Sequence, residues 1–130
     1  MKSLHPKEIE AVLQQKAPLR YQYFMKRVAD FEVMYSLQDE DGDWVMADLD
    51  GSGLFCVWPF PEFATACAIE GWEGSKVIPI DLAMYQEQIV PMIQEEGLLL
   101  NVFSSPTATG FVVNAAEFAR DLNTELAHYQ

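Results

Sequence analysis

The sequence has few of the residues that most enzymes use as nucleophiles and bases. Its two histidines, His5 and His128, lie near the chain ends, and its two cysteines, Cys56 and Cys67, lie in apolar segments without CxxC spacing. A Ser-His-Asp or Cys-His arrangement needs a histidine held in a cleft beside a nucleophile, so we predict no catalytic residue. A zinc site is also disfavoured, because the histidine and cysteine ligands that it needs are few. The apolar surroundings of the two cysteines and their lack of CxxC spacing favour reduced, buried thiols over a disulfide.

Long apolar runs and glycine-rich phosphate loops are also missing. No run approaches the roughly 18 to 20 apolar residues of a membrane span, and the start MKSLHPKEIEAVL becomes charged before a signal-peptide core could develop. Gly51 and Gly53 lie between predicted strands, with no helix after them to hold a phosphate. We therefore expect a cytoplasmic protein with no membrane partner and no cofactor.

Basic residues are missing from the middle of the chain. The net charge is −12, and residues 28–75 carry eleven acids and no lysine or arginine, whereas residues 1–27 hold six of the eight basic residues. Such an acidic body repels phosphates, which disfavours nucleic acid and anionic membrane as partners. Its field would attract a basic protein, and the alternative is that the acidic surface serves only solubility.

Apolar residues, in contrast, are plentiful and strongly patterned. They make up 50% of the 130 residues, enough for one core, so we predict a single domain over residues 1–130. Two stretches have helical spacing, PKEIEAVLQQ and PLRYQYFMKRVADF. Three strand-like stretches follow, EVMYSL, WVMADL and LFCVWP, and the turn signals Asp41-Gly42 and DLDGSG (48–53) between them predict an antiparallel meander.

The second half of the chain alternates between helical and extended patterns. We predict a helix in FPEFATACAIEG, an edge strand containing Pro79, a helix over DLAMYQEQIVPMIQEEG that Pro91 should kink, the strands LLLNVF and GFVVN, and a last helix capped by Asn114. The order ααβββαβαββα predicts an α+β fold, with helices packed on one mixed, largely antiparallel sheet of five or six strands.

Five acids near the predicted turns raise the question of a calcium site. They are Asp39, Asp41, Asp43, Asp48 and Asp50. The first three alternate as in an EF-hand loop, but the sixth position is Trp44, where the loop requires glycine. A second frame, starting at Asp48, has Pro59 instead of the twelfth-position carboxylate. We predict no metal and interpret the acids as two separate acidic rims; weak calcium capture in the second frame is the alternative.

The segment VWPFPEF is our first choice for a binding site, because it bends from a buried strand into a helix and strand-end crevices often hold ligands. The candidate residues for a ligand or partner are Trp58, Pro59, Pro61 and Glu62. We expect Phe24, Phe55 and Phe63 in the core, whereas Trp58 could either be buried or line the crevice. The polar loop SSPTATG is interpreted as a mobile surface segment, with partner contact as the alternative.

Several of these segments together resemble a known family. ADFEVMYSL, VWPFPEFATAC and GFVVNAAEFARDLNTEL are similar to a bacterial family catalogued as domain of unknown function 2750, and the likeness covers nearly the whole chain. The resemblance implies a small single-domain bacterial protein and carries no activity, substrate or catalytic residue.

Two functions therefore remain in view. The charge pattern and the scarcity of catalytic groups favour a non-enzymatic protein-interaction or regulatory module. The alternative is a small-ligand-binding domain that uses the crevice near Trp58 and Glu62.

Overall fold

A computed structural model describes residues 6–69 and 71–128. The chain begins with helices α1 (Pro6–Leu13) and α2 (Ala17–Phe31), followed by strands β1 (Val33–Gln38), β2 (Met46–Leu49) and β3 (Ser52–Val57). Then come α3 (Pro61–Ala66), β4 (Lys76–Asp81), α4 (Leu82–Met84), a π-helix (Tyr85–Ile89), α5 (Val90–Glu96), β5 (Leu99–Val102), β6 (Phe111–Val113) and α6 (Ala115–Ala127). The predicted α+β class is confirmed.

The six strands form two sheets, so the prediction of one sheet with five or six strands was wrong. One sheet has the order β2-β3-β5-β6, and the other pairs β1 with β4. The β2–β3 hairpin is as predicted: Leu49 pairs with Ser52, and the two residues between them, Asp50 and Gly51, have φ of 53° and 86°. Positive φ at both positions is the geometry of a type I′ hairpin turn, so DLDGSG is a strand connection.

The predicted meander fails at β1, which pairs with β4 and is joined to the segment before β2 by an isolated bridge between Gln38 and Trp44. Tyr35 in β1 instead exchanges two backbone hydrogen bonds with Trp58, at 2.9 and 2.8 Å. Because these bonds use one edge of β1, its other edge pairs with β4, where Pro79 lies opposite Tyr35. Proline has no N–H to donate. It is tolerated opposite Tyr35 because the backbone N–H and carbonyl of Tyr35 both point toward Trp58 and need no partner on β4.

Strands β3 and β5 pair in parallel, which brings two strand ends to the same edge of the larger sheet. Val57 lies opposite Val102, and the N–H of Phe103 donates to the carbonyl of Val57 at 2.9 Å. The crossover between these strands contains α3, β4 and the helical stretch up to Glu96. At this edge the chain turns toward α3 after β3 and into the loop before β6 after β5. The separation of these two segments leaves space for clefts.

The helical stretch from Leu82 to Glu96 is divided, so the predicted order of elements is met only approximately. Asp81 caps its start by accepting from the N–H of Met84 at 2.7 Å, as expected of an N-cap. The π-helix lies just before Pro91 and changes the hydrogen-bond spacing where proline cannot donate. A proline thus divides the helix through a local change in winding.

Helices α2 and α6 pack on the larger sheet, and the ring centroids of Phe24 and Phe118 lie 5.8 Å apart. The predicted core phenylalanines, Phe24, Phe55 and Phe63, are all fully buried. Asn114 caps α6 as predicted, accepting from the N–H of Glu117 at 2.8 Å. Among the described helices, none is long and apolar enough to cross a membrane.

Candidate functional sites at the end of strand β3

Trp58 follows β3 and lies in the core. Its side chain is 0% exposed, and its indole N–H donates to the carbonyl of Ser104 at 3.0 Å. Trp72 packs edge-on against it, with ring centroids 6.5 Å apart. Trp58 therefore lies behind the surface, and of the other candidate residues Pro59 is buried while Pro61 and Glu62 are half-buried.

A cleft of about 250 Å³ lies beside the bend, and we call it the apolar cleft. It is lined by Phe31, Val33, Tyr35, Pro59 and Phe60. Phe31, at the end of α2, is one of the few exposed large apolar side chains, with 44% of its surface accessible. Of the sequence-predicted site residues, Pro59 lines this cleft directly.

Charged groups surround the apolar cleft. Arg27 lies over the rings of Tyr23, Phe31 and Phe60, with its guanidinium carbon 5.7, 5.4 and 5.0 Å from the centroids. These distances fit cation–π attraction. Burial raises the pKa of Tyr35, and the negative charge of Glu62 raises it further.

A second cleft, of about 310 Å³, lies at the end of β5, and we call it the polar cleft. Cys67, Asn101 and Ser104 are buried and contribute its deep part, while Trp72 and Thr107 are more exposed. None of the described residues that line it is charged. The two clefts share no lining residue, although both adjoin the segment that holds Trp58.

The loop SSPTATG forms much of the polar cleft and is tied to the body by a buried arginine. Arg20 is 4% exposed, and it donates from Nε to the carbonyl of Phe103 at 2.9 Å and from Nη2 to the carbonyl of Thr109 at 3.4 Å. A third donor reaches the carbonyl of Gln15. Burial lowers the pKa of Arg20. The segment that the sequence suggested to be mobile is thus held at both ends.

The side chain of Asn101 also supports this loop. Its Oδ1 accepts from the N–H of Gly110 at 2.8 Å, and its Nδ2 donates to the Sγ of Cys56 at 3.6 Å. Sulfur is a weak acceptor, so the amide donors of Asn101 are only partly satisfied. Asn101 is nevertheless 3% exposed, which places a buried polar group at the base of the polar cleft.

The two cysteines are free and buried, as predicted. Burial raises the pKa of Cys56 to about 12. Burial also raises the pKa of Cys67, although hydrogen bonds with Ser104 and Trp58 and the charge of Arg20 partly oppose the shift. Both thiols are therefore protonated at neutral pH, and neither is an activated nucleophile.

The five aspartates of the acidic rims are not among the described residues that line the two clefts. The carboxylates of Asp39, Asp41 and Asp43 are exposed and lie within 4.8 Å of one another. Asp39 Oδ1 accepts from the N–H of Asp41 at 2.9 Å and of Asp43 at 3.0 Å, so the predicted two-residue turn at Asp41-Gly42 is a five-residue loop. Asp48 and Asp50 lie exposed at the other end of β2.

Two residues that contact the candidate sites, Arg20 and Arg27, were missed from the sequence. They are seven residues apart on α2, so both lie near its apolar stripe of Tyr21, Phe24 and Val28. The presence of an arginine beside an apolar helix stripe was the sequence signal that could have identified both residues. Of the histidines, His128 is exposed beside Glu125 at 3.6 Å, and His5 lies outside the described residues.

The model of a known family matches residues 21–122, a span that contains every residue lining the two clefts. The chain belongs to the DUF2750 family, proteins of unknown function. The resemblance carried by VWPFPEFA is thereby confirmed. No curated protein matches the chain, so DUF2750 membership leaves function to be argued from the sites.

Proposed function

We propose that this DUF2750 protein is a non-enzymatic interaction module of the cytoplasm that binds a basic segment of another protein. An apolar side chain of that segment occupies the apolar cleft, and its lysines or arginines face the surrounding carboxylates. The observation that carries the proposal is an apolar cleft set within a chain segment that contains no lysine and no arginine.

The shape of the cleft supports an anchored side chain. About 250 Å³ is small for a complete ligand pocket but is suited to one apolar side chain. Binding energy at protein interfaces is concentrated where one apolar anchor fills a preformed pocket. Phe31 and Phe60 form two of its walls, and their rings lie 6.0 Å apart.

Charge around the cleft supports a basic partner. Asp30 and Glu32 flank Phe31 in sequence and are exposed, and Glu62 follows the bend close enough to act on Tyr35. Arg27 is a nearby cation whose guanidinium lies over the aromatic rings. With these three carboxylates beside the cleft, we expect a local field that favours positive side chains.

The acidic rims add long-range attraction. Charges beyond the contact area raise the encounter rate of oppositely charged partners, and the effect weakens as salt shortens the Debye length. A net charge of −12 on 130 residues provides that field. We therefore assign steering to Asp39, Asp41, Asp43, Asp48 and Asp50 and contact to the apolar cleft.

Fluorescence anisotropy tests the proposal with a labelled lysine-rich peptide that carries one central phenylalanine. We expect saturable binding that weakens at least tenfold when salt rises from about 0.05 to about 0.5 M. A peptide with serine in place of phenylalanine should bind at least tenfold more weakly, because the anchor is lost. Equal affinity of the two peptides would contradict the use of the cleft.

Matched variants separate contact from general charge. Phe31→Ser should weaken binding, whereas Leu19→Ser should not, because Leu19 is exposed to 50% on the same helix but lies away from the cleft. The triple change Asp30→Asn, Glu32→Gln, Glu62→Gln is compared with a distant change of equal charge, Glu87→Gln, Glu95→Gln, Glu96→Gln. If the two triple variants lose the same affinity, binding reflects net charge alone and the proposed site is wrong.

A further inference from the structure

We infer that the polar cleft is a second binding site, which takes a neutral, hydroxyl-bearing compound of about monosaccharide size. This inference does not depend on the proposed interaction with a basic protein, since the two clefts have no lining residue in common.

The position of the polar cleft is the first argument. It lies at the carboxyl ends of the parallel strands β3 and β5, where the chain turns toward α3 on one side and into the loop on the other. Crevices at such divergent strand ends are recurrent ligand sites in sheets with parallel strands. A volume of about 310 Å³ limits the occupant to a small molecule.

The rigidity of the cleft is the second argument. Arg20 holds both ends of the loop through Phe103 and Thr109, and Asn101 holds it through Gly110. Burying a guanidinium costs free energy unless hydrogen bonds compensate for the lost water, and here backbone carbonyls supply them. A loop held in this way forms a site that is already shaped before a ligand arrives.

The chemistry of the lining selects the class of ligand. Its polar groups are hydroxyls, an amide and a thiol, from Ser104, Ser105, Thr107, Thr109, Asn101 and Cys67. Its flat apolar surface comes from Trp72 and Ile69, and Ile69 is exposed to 41%. A ring with hydroxyls on its edge and an apolar face matches both kinds of surface.

Charge disfavours the anionic relatives of such a compound. No described residue that lines the cleft carries a charge, so an anion finds no opposite charge there. The net charge of −12 further repels anions. Burial raises the pKa of Cys67, so its thiol is uncharged at neutral pH and adds no negative charge to the lining.

Titrations with named neutral and anionic sugars test this inference, with intrinsic tryptophan fluorescence and the thermal unfolding midpoint as the two readouts. The neutral probes are glucose, galactose, mannose and N-acetylglucosamine; the anionic one is glucose 6-phosphate. We expect at least one neutral probe to bind saturably in the millimolar range and at least tenfold more tightly than glucose 6-phosphate. If none of the neutral probes binds saturably, or if glucose 6-phosphate binds equally well, the inference is overturned.

A pair of tryptophan variants locates the effect. Trp72→Leu should weaken binding of the neutral probe at least fivefold, while Trp44→Leu should leave it unchanged. The two tryptophans are matched, because both are half-buried and both pack edge-on against another ring, Trp72 on Trp58 and Trp44 on Phe55. Thr107→Val, on the exposed loop, provides a change that does not touch the core; unchanged binding in both Trp72→Leu and Thr107→Val would place the sugar elsewhere.

Discussion

Each of the two clefts is contacted by an arginine of helix α2, and the two arginines make different kinds of contact. Arg20 is buried and donates to three backbone carbonyls, which fixes the loop of the polar cleft. Arg27 is half-buried and lies over three aromatic rings at the apolar cleft. The same residue type on the same helix therefore has two roles, and the burial of its surroundings decides which. Arg20 should matter for stability and Arg27 for binding.

The largest effect is expected from Arg20→Met. The change leaves the carbonyls of Phe103, Thr109 and Gln15 without their donor, and buried unsatisfied groups are costly. We expect the free energy of unfolding to fall by about 2 to 4 kcal/mol in urea denaturation. Lys26→Met, on the exposed side of the same helix, should change it by less than about 0.5 kcal/mol. A similar small loss for both variants would contradict the role given to Arg20.

Gly110→Ala tests the close packing at the end of the same loop. A β-carbon at this position would lie 2.7 Å from the backbone nitrogen of Ser104 and even closer to the carbonyl oxygen of Val102. Backbone must shift to admit it, so we expect a loss of about 2 kcal/mol or more, measured by thermal unfolding. The neighbouring exposed change Thr109→Ala should be nearly neutral. Tolerance of Gly110→Ala would mean that the loop is looser than the structure shows.

Arg27→Met should lower the free energy of unfolding by less than Arg20→Met does. It should also strengthen the binding of the lysine-rich peptide rather than weaken it. Loss of cation–π contact costs about 0.5 to 1 kcal/mol. Removal of a positive charge beside the apolar cleft should strengthen binding of the lysine-rich peptide about threefold at low salt. Anisotropy titrations check the sign, and a weaker interaction with the peptide would indicate that Arg27 contacts the partner itself.

The smallest effect on stability is expected from the loss of the partly exposed hydrogen bond between Tyr21, the sequence neighbour of Arg20, and Asp121. The hydroxyl of Tyr21 donates to Asp121 Oδ2 at 2.6 Å and holds the pKa of Asp121 below its usual value of 3.8. A carboxyl pKa that is lower in the folded state stabilises the protein above about pH 4, and this stabilisation is lost as pH falls through the folded pKa. Tyr21→Phe should therefore lower stability by no more than about 1 kcal/mol near neutral pH and by less in acid.

Tyr23→Phe is the matched control for that experiment. The hydroxyl of Tyr23 is buried and has no hydrogen-bond partner in the described part of the chain. Its removal should be neutral or slightly stabilising, because an unsatisfied buried polar group is lost. Unfolding in urea across the range from about pH 3 to pH 7 compares both variants, and an equal pH dependence in wild type and Tyr21→Phe would contradict the assignment.

Local patterns in the sequence were sufficient for the elements whose signals are local. The turn at Asp50-Gly51, the cap Asn114 and the buried phenylalanines were all predictable, because each depends on neighbours along the chain. The pairing of β1 was not, because Tyr35 lies between two partners that are distant in sequence, Trp58 on one edge of the strand and Pro79 on the other. Long-range pairing of this kind leaves no mark within a single strand.

The candidate sites were predictable only in part, for the same reason. The bend after Trp58 is indeed beside a cleft, and Pro59 lines it. The polar cleft was missed because it assembles residues from β2, β5, the segment after α3 and the loop that a buried arginine holds, whereas composition suggested only a polar surface segment. Arg20 lies beside an apolar stripe of α2. Its hydrogen-bond partners, at positions 103 and 109, could not be predicted because they are distant in sequence.

Amide chemical-shift mapping tests the proposed function most directly. The isotope-labelled protein is titrated with the lysine-rich peptide that carries a central phenylalanine. The proposed function predicts saturable shifts centred on Phe31, Val33, Tyr35 and Phe60 that disappear with the serine peptide. Shifts confined to the acidic loop of residues 39–43, equal for both peptides, would show that only charge attracts the peptide and would contradict the proposed binding site.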